Sequence, residues 1–256
     1  MKTLFGIFVT AFLFFSINPS ASFAAMPAHG EMCVKCEKGK ECPMCKKKNG
    51  MKCSRNQAST AEYMAGMERM HKDMHVTYTG DTDTDFARGM VPHHQGAVDM
   101  AEVVLKHGKD EEVRKLAEWI LASQKQEIAW MKRWIERKGS TGEKGKDYSS
   151  EAYAKAFDEA NATMHKDMDI IYSGDADYDF VRGMIPHHQG AVDMAQILLK
   201  HGQNLEMKKL ASGIILGQNR EIKQMKQWLE KYPAPPLEAP KKMKGKKKPA
   251  DHSHHH

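Results

Sequence analysis

Beyond Cys53 the chain has no cysteine; all five lie between Cys33 and Cys53. The body that follows has no disulfide to constrain it, but about 180 residues are enough to build a core by packing alone. Long apolar runs are also missing. Only Leu4 to Ile17 is apolar over any length, and that run is too short to span a bilayer comfortably. No later stretch reads as transmembrane. Period-two alternation of apolar and polar residues is absent throughout, which excludes a fold built on sheets. Finally, the body lacks an excess of positive charge, although the whole chain carries +6. Residues 31–55 and 241–256 each contribute +5, whereas residues 56–240 sum to −5. The basic ends and acidic body, together with the export signal described next, argue against a nucleic-acid partner.

Lys2, the apolar Leu4 to Ile17 and the small residues at Ala21-Ser22-Phe23-Ala24 form the pattern of a signal peptide, residues 1–24, cut after Ala24. No cysteine follows the cut, so no lipid anchor is expected, and the mature chain is expected in a bacterial periplasm. Residues 25–56 form a Cys/Lys/Met-rich arm without helical periodicity. Residues 57–138 and 150–232 are two helical repeats joined by a polar, glycine-rich linker at 139–149. Residues 233–256 begin with Pro233-Ala234-Pro235-Pro236 and continue as a Lys/His-rich tail expected to be disordered.

The repeat is close. Met70 to Gly108 align without a gap on Met164 to Gly202 at roughly 70% identity. Both copies hold Pro-His-His-Gln-Gly-Ala-Val-Asp-Met-Ala, from Pro92 and from Pro186. Each copy reads as three helices. Met64, Met67, His71, Met74 and Tyr78 make the stripe of the first. In the second, Asp83 or Asp85 is the expected N-cap, Pro92 starts or kinks the helix, and His107-Gly108 stops it. Two adjacent stripes run along it, one through His93, Ala97 and Met100, the other through Met90, His94 and Val98. The third, about Asp110 to Arg137, points Val113, Leu116, Ile120, Gln124, Glu127, Met131 and Trp134 inward.

A tight turn at Gly108 folds the second and third helices into an antiparallel hairpin, which sets residues equidistant from the turn at one height. Met90, His93, His94, Gln124, Glu127 and Met131 then share a layer near the open end. The second copy repeats it with Met184, His187, His188, Gln218, Glu221 and Met225. Polar side chains on apolar stripes are costly unless paired or metal-bound. Imidazole and thioether together favour a soft ion such as Cu(I) over magnesium or calcium. Met100, Met194, His71, Met74, His165 and Met168 are further candidate ligands; Gln124, Glu127, Gln218 and Glu221 are expected to orient the imidazoles. A hydrogen-bonded polar network, with methionine as core filler, explains the same pattern without metal.

In the arm, Cys33, Cys36, Cys42 and Cys45 form two Cys-x-x-Cys pairs, with Cys53 left over. Four thiolates can clamp a soft ion, helped by Met32, Met44 and Met51; in an oxidising compartment the same residues can form disulfides.

The run Met90-x-x-His93-His94-Gln95-Gly96-Ala97-x-x-Met100-Ala101, its copy from Met184, and the Gln-x-x-Glu-Ile-x-x-Met patterns at Gln124 and Gln218 resemble the ferritin-like family catalogued as domain of unknown function 305. The resemblance implies an all-α, ferritin-like antiparallel helical bundle, built here from two three-helix repeats. It also implies periplasmic copper binding and resistance, as in some members, and no established enzymatic activity. The expectation is therefore a non-enzymatic protein that holds or passes on copper, with Cu(I) first and Ag(I) or Zn(II) as alternatives. Its partners would be metal ions and a periplasmic copper exporter or chaperone, and a homo-oligomer is compatible with the sequence. A di-iron redox centre is the enzyme rival: Glu68-x-x-His71 has its spacing, but Ala162 replaces the glutamate in the second copy. A metal-free interaction protein is the third reading.

Overall fold

Six stretches whose apolar residues recur every third or fourth position fold as helices in the computed structural model, which describes residues 58–139 and 145–235. They are α1 (Ala58–Asp73), α2 (Thr82–His107), α3 (Glu111–Lys138), α4 (Ala152–Asp167), α5 (Ala176–His201) and α6 (Leu205–Lys231). No strand occurs among the described residues, and the fold is all-α. The expected signal peptide, the arm with Cys33, Cys36, Cys42 and Cys45, part of the linker and most of the tail lie outside the described residues.

Helix ends depart from the sequence reading in ways that have physical causes. α1 stops at Asp73, so Met74 and Tyr78 are not helical, although Met74 is still buried. The N-cap of α2 is Asp81, whose carboxylate accepts the Thr84 N–H, not Asp83 or Asp85. Asp85 is already engaged: it accepts from the Thr79 N–H and hydroxyl and from the Tyr153 hydroxyl. Gly80, at φ 84°, makes the turn that brings these groups together. Pro92 and Pro186 start nothing; they lie inside continuous helices. Gly108 does end α2, but at φ −73°, without a left-handed turn. It must be glycine for another reason: a Cβ there would collide with the Asp177 carboxylate and the Val104 carbonyl.

α2 and α5 run antiparallel through the centre. α1 and α3 pack on α2, α4 and α6 pack on α5, and α1 and α3 also touch α5. The start of each central helix is tied to the end of the other. The Asp83 carboxylate accepts the backbone N–H of Gln203 and Asn204, and the Asp177 carboxylate accepts those of Lys109 and Asp110. Tyr63 in α1 donates to the Ala176 carbonyl across the same boundary. Phe86, in α2, packs on Phe157 of α4, and one apolar core draws on all six helices. Burial of Phe86 and of Phe180, both fully enclosed, stabilises by about 1.5–3 kcal/mol each.

Candidate metal centre

Neighbouring residues on an α-helix project about 100° apart, so a His-His pair at a helix–helix crossing must split between two interfaces. His93 points from α2 to α5, where its ring lies 4.0 Å from that of His187. His94 points to α3, where its Nε2 lies 2.7 Å from Glu127 Oε2. The second copy does the same, with His188 Nε2 2.6 Å from Glu221 Oε2. The result is a row: Glu127, His94, His93, His187, His188, Glu221. Ring separations within the copies are 6.2 Å for His93 to His94 and 6.0 Å for His187 to His188. All four imidazoles are fully buried. The row crosses the middle of the central helices, not the open end of the hairpins, because α2 and α3 extend well beyond it.

A carboxylate oxygen accepts hydrogen bonds, so the hydrogen between Glu127 and His94 lies on His94 Nε2, and Nδ1 is the ring nitrogen left for another partner. The same holds for Glu221 and His188. Both Nδ1 atoms are buried without a hydrogen-bond partner, as are both ring nitrogens of His93 and Nδ1 of His187. The amide of Gln124, the carbonyl oxygen of Gln218 and Nε2 of His71 and His165 are likewise unpartnered. Each such group costs about 1–3 kcal/mol when it has no partner, and these gather on the two central helices and their immediate neighbours. By contrast, both oxygens of Asp85 are hydrogen-bonded. Burial, reinforced by the neighbouring imidazoles, pushes His93 and His187 well below the usual histidine range. They are neutral, with lone pairs free for a metal.

A second imidazole pair spans the same boundary. His71 of α1 and His165 of α4 stack with ring centres 3.6 Å apart, half-buried. Burial lowers both, His165 to about 4.

The candidate sulfur donors divide. Met90, Met131, Met184 and Met225 are fully buried in the shared core, and Met74 and Met168 nearly so. Met100 and Met194 cross between the repeats: their methyl groups seat on Gly183 and Gly89 of the opposite central helix, where a Cβ would stand 3.0 and 3.2 Å from them. They interlock α2 and α5. Met70 and Met164, outside the candidate ligands named from the sequence, are further buried sulfur atoms of the same core. Their thioethers lie on Gly96 and Gly190, three residues after His93 and His187, so closely that a Cβ would collide with sulfur. The glycine after His-His-Gln was the available signal. His107 lies apart, against Glu62.

Among the described residues, no three His, Cys, Asp or Glu side chains are gathered to hold one metal ion. A tetrahedral zinc site or a carboxylate-bridged iron pair needs such a group. An ion of low coordination number, completed by thioether, does not. Glu68, of the Glu-x-x-His spacing, is exposed.

The family model for a domain of unknown function (DUF305) matches residues 83–229 and 177–256. CopM was solved with Ag and with Cu(I) bound; these two structures are 36% and 38% identical to the chain, cover 59% of it and 96% of CopM, and superpose with TM-scores of 0.45 and 0.44. A DUF305 fragment from Deinococcus radiodurans is 30% identical, with 59% and 96% covered and a TM-score of 0.44. An uncharacterized protein, L153, from Acanthamoeba polyphaga mimivirus is 35% identical over 54 residues, 21% of this chain; the chain spans only 36% of that protein's length.

Proposed function

The chain belongs to the DUF305 family, and from that premise we propose that it is an exported, non-enzymatic protein that binds copper as Cu(I), with Ag(I) as an alternative, to buffer the ion or hand it on. The observation that carries this reading is the row of four buried imidazoles with unpartnered ring nitrogens, the outer two, His94 and His188, held by the carboxylates of Glu127 and Glu221. Buried methionines in the same core supply the soft donors that favour copper. Copper and silver are the ions held in CopM, which makes them the first to test. The two repeats read as copies of one ferritin-like three-helix unit. The segment before Ala24 reads as the export signal, and the cysteine arm as a separate capture site. A copper exporter or chaperone would be the partner.

The test uses the full chain with its five cysteines changed to serine, so that the thiolates of the arm cannot bind. It should take Cu(I) from a chromogenic chelator and ignore Mg(II). Replacing His93, His94, His187 and His188 together by alanine should abolish most of that uptake while helical circular dichroism persists. Glu127→Ala or Gln124→Ala should cost less, on the order of 10- to 100-fold in affinity. Undiminished uptake in the fourfold variant would make the row a structural network and remove the proposal.

A further inference from the structure

Two copies of a metal-binding motif would ordinarily give two independent sites. The contacts between α2 and α5 argue otherwise. The methyl of Met194 sits on Gly89 and that of Met100 on Gly183. Asp83 reaches the turn after α5, and Asp177 the turn after α2. These reciprocal contacts place the crossing point of the two helices midway along each, and His93 and His187 are the facing residues there. Their rings, 4.0 Å apart and inclined at 52°, both belong to the crossing and to neither repeat alone.

The hydrogen bonding of this pair is incomplete. His187 Nε2 lies 3.0 Å from the His93 carbonyl oxygen and must donate to it, which leaves the lone pair on Nδ1. That Nδ1 is buried and unpartnered, and so are both ring nitrogens of His93. Three unpartnered nitrogens on two touching, fully buried rings are thus concentrated at the boundary between the repeats. Within a repeat, His94 and His188 are drawn the other way, towards Glu127 and Glu221 on the outer helices.

We propose that the repeats build one shared soft-metal centre, with a single ion held between His93 and His187, so that neither repeat binds it alone. The inference rests on the copper-binding reading above. Electrostatics lead to the same result. If His93 and His187 each held an ion of its own, two cations would crowd rings only 4.0 Å apart in the core, and their repulsion in a low-dielectric interior would weaken the second. Duplication of the motif would then serve to assemble a centre, not to double capacity.

The test titrates Ag(I), which does not change oxidation state, into the full chain with its cysteines replaced by serine. The histidine ring nitrogens are followed by nitrogen-15 resonance. One tight equivalent should bind and shift both His93 and His187. His93→Ala should lose that equivalent and silence the His187 shift; His187→Ala should do the converse, and the double variant should lose no more than either single one. His93→Gln, which keeps a polar side chain in the crossing, should behave as His93→Ala and guards against loss of fold, read by circular dichroism. Two equal tight equivalents, or one tight equivalent surviving in His93→Ala with His187 still shifting, would overturn the shared centre while leaving copper binding intact. Absence of any Ag(I) or Cu(I) shift at the wild-type histidines would instead overturn the copper reading, and the shared centre with it.

Discussion

Asp83 and Gln203 belong to opposite repeats, yet the Asp83 carboxylate accepts the Gln203 backbone N–H at 2.9 Å. The same oxygen accepts Asn204 N–H at 3.1 Å, and Asp177 does this for Lys109 and Asp110 at 2.7 and 3.1 Å. Gly108 and Gly202 leave room for these carboxylates, since a Cβ at either would collide with or crowd them. The antiparallel register of α2 and α5 is thus pinned at both ends, and that register puts His93 against His187 in the middle.

Removing either pin should destabilise the whole molecule. Asp83→Ala and Asp177→Ala each strand two backbone donors and should cost about 1–3 kcal/mol, seen as a fall of several degrees in Tm. The two sites lie at opposite ends of helices roughly 39 Å long, so their effects should add within about 0.5 kcal/mol. Denaturant melts of the two single variants and the double variant measure this. Strong coupling would mean that the pins do not act independently.

Glycine has opposite roles at two helical positions, and alanine separates them. Gly96 supports the Met70 thioether, and a Cβ there would collide with it. Gly96→Ala should therefore displace Met70 and lose about 1–3 kcal/mol through overpacking. Gly213 lies in α6 with nothing within 4 Å of a built Cβ. Gly213→Ala should gain about 0.5–1 kcal/mol by removing backbone freedom from the unfolded chain. Equal responses at the two glycines would refute the close approach of Met70.

Much of this arrangement was legible in the sequence because helical periodicity reports which face is buried. It placed Val113, Leu116, Ile120, Gln124, Glu127, Met131 and Trp134 inward; six of the seven are buried, and Glu127 is partly exposed. Reflection about the hairpin turn set His94 level with its partners on α3, where Glu127 meets it. Periodicity does not say which neighbour a face meets. With near-identical repeats, nothing along the chain distinguishes His93 facing its own hairpin from His93 facing His187. Met100 shares a stripe with His93, and its methyl ends on a glycine of the other repeat, a contact that periodicity within one repeat does not reveal. Met74 keeps the spacing of α1 although the helix ends at Asp73, because its N–H still donates to the Met70 carbonyl at 2.9 Å and its side chain stays buried. Three aspartates at Asp81, Asp83 and Asp85 look interchangeable in sequence. The fold gives one to a helix cap, one to the other repeat and one to the preceding loop.

The buried imidazoles also make a prediction for metal-free protein. Burial holds His93, His187, His71 and His165 below the ordinary histidine value, whereas the unfolded chain takes up protons near its usual pKa of about 6.5. Between those values the unfolded state binds more protons, so stability must fall as pH drops below about 6.5 and must return as pH rises. The loss continues down to the folded values, about 4 for His165. Each fully buried histidine contributes at most about 1.4 kcal/mol per pH unit in this window; His71 and His165, half open to solvent, contribute less. Asp177 and Asp179, raised by burial, act with the opposite sign, but from the lower carboxylate range. Urea melts of metal-free protein between about pH 4.5 and 7.5 should therefore show rising stability, and His93→Gln combined with His187→Gln should flatten the slope. An unchanged slope in that double variant would mean that the two central imidazoles are not held neutral by burial, and they would then be poor ligands for a soft ion at mildly acidic pH.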